Sequence, residues 1–158
     1  MLRAGLIFTA TVLMMTAQVE AQSLIDKYGK MVSDDAVRIF MVDALKKVHL
    51  EKCEGGKPCS AATPQEFEQL PISVAAGRAA LSHGIISALA QWCGLNWQRS
   101  FLPMIAYGRR QMKMTDRPLM IMTLMHAALF KRQSEQYRTQ GTCPARLLQD
   151  LDSQLPKV

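Results

Sequence analysis

The sequence predicts an all-α fold: a compact, bundle-like domain of four main helices plus one or two short helices, stapled by disulfides, after a cleaved signal peptide. Three observations lead there. Apolar side chains recur at helical spacing in four separate stretches, and no stretch alternates with the period of two that a half-buried strand needs. Candidate helix starts carry Ser or Thr with an acid or a proline just behind. Four cysteines follow an N-terminus laid out like an export signal.

The signal segment is residues 1–21. Arg3 and the free amine supply positive charge, and Leu6 to Met15 form an apolar run too short to span a bilayer. Val19 and Ala21 are the small residues before the cut. No cysteine follows until Cys53, which argues against a lipoprotein. Cleavage leaves 22–158, 137 residues, which suits a single helical domain with its own core. The expected location is the periplasm or the medium, with no transmembrane span in the mature chain.

Residues 22–32 read as a polar lead-in. Ser33 caps a first helix over 33–51, with Asp34 and Asp35 at its start and Val37, Phe40, Met41, Ala44, Leu45 and Val48 following at helical spacing. A loop over 52–63 ends at Thr63-Pro64, the start of a short helix that Pro71 closes. The stretch from Ser73 to Cys93 is apolar almost all round, which predicts a central helix. Ala76, Ala80, Gly84 and Ala88 form a row of small side chains that admits a close neighbour. Gly94 is the expected left-handed stop. Ser100 is the expected cap of the next helix, placing Pro103 in its first turn, and Thr115 the cap of the one after, apolar from Leu119 to Phe130 and stopped by Gly141. A last short helix follows Cys143-Pro144, with a frayed tail from Gln154.

An even cysteine count in an exported chain predicts two disulfides. The favoured pairing is Cys53–Cys59 across a Gly- and Pro-rich turn, with Cys93–Cys143 closing a long loop. No C-x-x-C occurs, so neither the paired zinc knuckle nor haem attachment is expected, and His49 with Cys53 does not make a metal site by itself. Met112/Met114 and Met120/Met122 have thioether-like copper spacing. Residues two apart on a helix point about 200° apart, however, and core filling explains them better. No metal or cofactor is therefore expected.

No catalytic residue is expected either. His83 and Ser87 lie four apart on the central helix, without the elbow or oxyanion hole a hydrolase needs. Trp92 and Trp97 could line a ligand pocket with His83 or His126, or pack over a disulfide corner.

The charge is uneven. Residues 22–98 are neutral overall, and the whole excess of +6 lies in 99–158. The candidate binding face is Arg109, Arg110, Lys113 and Arg117, with Lys131, Arg132 and Arg138 as possible extensions. For an exported chain such a face fits another protein or an anionic envelope surface, and not nucleic acid. The sequence therefore reads as a non-enzymatic protein-binding module. A small-ligand or metal-binding protein and an enzyme of unrecognised type are the alternatives.

Overall fold

The computed structural model describes residues 24–53 and 56–157, and the predicted signal segment lies outside them. Among the described residues the regular structure is helical, apart from one isolated antiparallel bridge between Lys52 and Pro58. A helical stretch over 24–29 precedes α1 (Asp34–Lys47), which tightens into a 3-10 turn at Val48–Leu50. Then come α2 (Pro64–Glu68), α3 (Val74–Trp92), α4 (Gln98–Arg110), α5 (Asp116–Tyr137) and α6 (Ala145–Gln154). No helix is long and apolar enough to cross a membrane among the described residues.

Local chemistry sets these boundaries. Ser33 and Ser73 accept hydrogen bonds from the N–H groups of Ala36 and Ala76, at 3.2 and 3.1 Å. Thr63 and Glu66 form a reciprocal capping box at α2. Each such cap satisfies a donor that would otherwise be orphaned and stabilises by about 1 kcal/mol. After α3, Gly94 takes φ +76°, and the Leu95 N–H reaches back to the Ala90 carbonyl at 2.8 Å. That left-handed turn is cheap only for glycine.

The row of small residues on α3 is where α5 lands. A Cβ on Gly84 would sit 2.8 Å from the His126 carbonyl oxygen and 3.3 Å from the Phe130 nitrogen. The two backbones therefore approach with no room for a methyl group. Gly77 meets Met125, Gly84 meets Phe130 and Trp92 stacks on Tyr137, so α3 and α5 run in the same direction. α4 runs against both, with Ser100 at His83, Phe101 at His126 and Leu119 at Gly108. α1 closes the other side, placing Val37 and Met41 over Gly77. Met41, Leu45, Leu81, Ile86, Ile121 and Met125 are among the fully buried side chains of the resulting core.

Two disulfides are present, Cys53–Cys59 and Cys93–Cys143. The second ties the end of α3 to the segment before α6, and it lies beside the Trp92–Tyr137 stack, where Trp92 donates to the Gly141 carbonyl at 2.8 Å.

Three local expectations are corrected. The lead-in is not merely polar, because Leu24 and Val32 are buried in the core at either end of its helical stretch. α4 starts before Ser100. The Asn96 side chain accepts from the Gln98 N–H at 3.0 Å and opens the helix early, which leaves Pro103 inside it. The C-terminal tail is not frayed. Leu155 is buried, and Arg99, 8% exposed, donates to Asp152 and to the carbonyls of Asp152, Leu155 and Pro156.

Candidate functional site

The four cations of the predicted binding face separate into two groups. Arg117 is committed inside the molecule. Its guanidinium forks onto both Glu66 carboxylate oxygens at 2.6 and 2.8 Å and reaches the carbonyls of Ser60 and Ala61. It fastens the 52–63 loop and α2 to the start of α5. The Arg117 hydrogen bond is the main reason the Glu66 carboxyl drops to about 2, and the same contact raises the arginine.

Arg109, Arg110 and Lys113 stay on the surface at the C-terminal end of α4. Arg109 has a loose contact to the half-buried Asp116 at 3.7 Å, the arginine side chain largely in solvent, worth under about 1 kcal/mol. Among the described residues, no acid pairs with Arg110 or Lys113. Two large apolar side chains share this end of the helix, Tyr107 at 59% exposed and Met112 at 38%. The result is a tip of mixed basic and apolar character.

The backbone of the tip is unusual. The Gln111 and Met112 N–H groups both turn back to the Tyr107 carbonyl, at 2.9 and 3.2 Å, and the Met114 N–H reaches the Gly108 carbonyl at 3.0 Å. Lys113 is left at φ +52°, in the left-handed region. A side chain there costs about 1 kcal/mol against glycine. Lys131 and Arg132 are also exposed, but lie some four turns further along α5, about 20 Å from Arg117.

The histidines and serines of the core pair across helices. His83 Nδ1 lies 2.9 Å from Ser100 Oγ on α4, and Ser87 Oγ lies 2.9 Å from His126 Nε2 on α5. Ser87 also donates to the Trp97 carbonyl at 3.2 Å. A hydroxyl has one proton, so with it on Trp97 the His126 proton is assigned to Nε2. Phe101, Phe130 and Trp97 enclose the His126 ring, at centroid distances of 4.8, 5.9 and 6.3 Å. Desolvation lowers both imidazoles to about 4, with His83 adding to the effect on His126. The surrounding rings would favour an imidazolium by about 2 kcal/mol or more at a desolvated site. An unpaired charge at this depth costs several kcal/mol, so desolvation wins.

His83 and Ser87 therefore do not face one another as a dyad. Each is spent on a partner from another helix. Trp92 stacks on Tyr137 and donates to the Gly141 carbonyl, while Trp97 packs against the His126 ring. Neither lines two open clefts on the surface. One of about 430 Å³ lies under Arg38, Phe67 and Ile72, and one of about 540 Å³ lies between Ile25, Lys30 and Arg78. Met122 and Met125 fill the core, and no group of three His, Cys, Asp or Glu side chains gathers among the described residues. The separation of Arg117 from the other cations, and the burial of Arg99, carry no signal in the sequence.

The chain matches no protein-family profile, no curated protein and no solved structure.

Proposed function

We propose that this chain is an exported, non-enzymatic module that binds another protein through the end of α4. Residues 22–158 would form one bundle-like domain for that purpose, held by the two disulfides, which suit an oxidising compartment such as the periplasm. The observation that carries the reading is the tip itself. Tyr107 and Met112 stand exposed beside Arg109, Arg110 and Lys113, with the last held in a conformation that costs energy. Tyrosine, methionine and arginine are residue types enriched at protein interfaces. The matching surface would be acidic with an apolar depression.

A photo-crosslinking residue at Tyr107 tests this in the native envelope. The expected result is one stoichiometric protein adduct that weakens with added salt and disappears in the Arg109→Glu/Arg110→Glu variant. An adduct indifferent to that charge reversal defeats the reading, as does association with anionic vesicles only.

A further inference from the structure

His126 sits where three helices meet, 2% exposed. From α3 it meets Ser87 and, as its titratable neighbour, His83. From α4 it meets Phe101, and the buried cation of that helix, Arg99, is turned away toward Asp152 and the tail. From α5 itself comes Phe130, and from the connector before α4 comes Trp97. No carboxylate among the described residues pairs with either ring. A proton arriving here would meet aromatic rings, a serine hydroxyl and a second imidazole, with no counter-ion.

The same contacts seat α4. His83 with Ser100, and Ser87 with the Trp97 carbonyl, join its N-terminal end to α3. Arg99 on that end in turn holds the C-terminal tail.

We propose that His126 and His83 form an acid-sensitive latch on α4. When they take up protons from solvent, α4 leaves its seat against α3 and α5, and the Tyr107–Lys113 tip is withdrawn from its partner. The second half rests on the binding role proposed above. The closed state binds fewer protons than the open one, because the buried His126 and the half-buried His83 are both lowered to about 4 in place and return to 6.5 when free. The latch is therefore fully held above pH 6.5 and is lost as the pH falls toward 4. Each unit within that window raises the opening constant by up to about tenfold per histidine. The Glu66 clamp, with its carboxyl at about 2, outlasts it.

Hydrogen exchange on the full-length oxidised protein between pH 7.5 and 4.5 tests the latch. Opening constants for α4 amides, corrected for intrinsic exchange, should rise at least about tenfold between pH 6.5 and 5, while those of α1 hold. Asn at 83 and Gln at 126 keep a polar atom near the bonding nitrogen without the titration. The His83→Asn/His126→Gln variant should therefore flatten the α4 response. Should that variant not fold, His126→Gln alone should roughly halve the slope. A flat wild-type profile, or an unchanged slope in these variants, overturns the latch. Arg109→Glu/Arg110→Glu should keep the α4 response in full, so failure of the binding reading leaves this result standing. A Tyr107 crosslink that persists at pH 5 while α4 opens overturns the withdrawal.

Discussion

Arg99 and Asp152 meet at 2.5 Å, a contact between residues 53 apart, and the same guanidinium also holds the backbone of the tail. An arginine that is 8% exposed would normally be a liability. Here its donors go to one carboxylate oxygen and three carbonyls. Only a planar fork satisfies that geometry. Arg99→Lys should therefore destabilise by about 2–4 kcal/mol, through carbonyls left without a donor and a charge left poorly paired. Urea midpoints would show the loss, and limited proteolysis should trim the chain after α6 in the variant alone.

Gly84→Ala should destabilise by about 1–3 kcal/mol, because the new methyl would meet the His126 carbonyl oxygen at 2.8 Å and push two backbones apart. Ala88→Gly is the control, since it adds no volume and should cost about 1–2 kcal/mol from helix propensity and one lost buried methyl. Equal losses in the two variants would count against close backbone contact as the organising feature.

Lys113→Gly should stabilise the fold by about 1 kcal/mol, because glycine accepts φ +52° without a Cβ clash. The same change should weaken partner binding at low salt. Thermal unfolding and the Tyr107 crosslink together read both effects. A gain in stability with undiminished crosslinking would show that the lysine is not part of the recognition surface.

Glu66 gives a second acid response, separate from the histidines. Its carboxyl is lowered to about 2 from 4.5, so its contribution is present above 4.5 and disappears as the pH falls through 2. Glu66→Gln should lower the urea midpoint at pH 6 and make stability less pH-dependent between 4.5 and 2. An unchanged acid limb would mean that the Arg117 fork adds little in solution.

Much of the fold was legible in local chemistry. Ser33 and Thr63 announce helix starts because a cap acts within three residues of itself, and helical periodicity marks which faces turn inward; Thr115 marks the start of α5 without a side-chain cap bond. What stayed hidden acts across the chain. Asn96 outcompetes Ser100 as the starter of α4, and Ser100 then becomes free to meet His83, a choice only the packed core decides. His83 and Ser87 suggest a pair by their spacing, yet a second and third helix claim them separately. Arg117 looks like one more surface cation beside Lys113 until Glu66, 51 residues earlier, folds back onto it. Adjacency in sequence groups charges, while function depends on which of them the fold leaves unspent.

The tail clamp also bears on the order of assembly. Leu151 and Leu155 enter the core, and Arg99 finds its acceptors only at residues 152–156. A chain that emerges N-terminus first holds its α4 cation without these partners until residues 152–156 have followed it out. Cys53 can meet Cys59 early, whereas Cys93 must wait for a thiol 50 positions later. Closure of this part of the fold is thus deferred until residues 143–156 have emerged, which makes loss of that segment a folding defect rather than a trimming event.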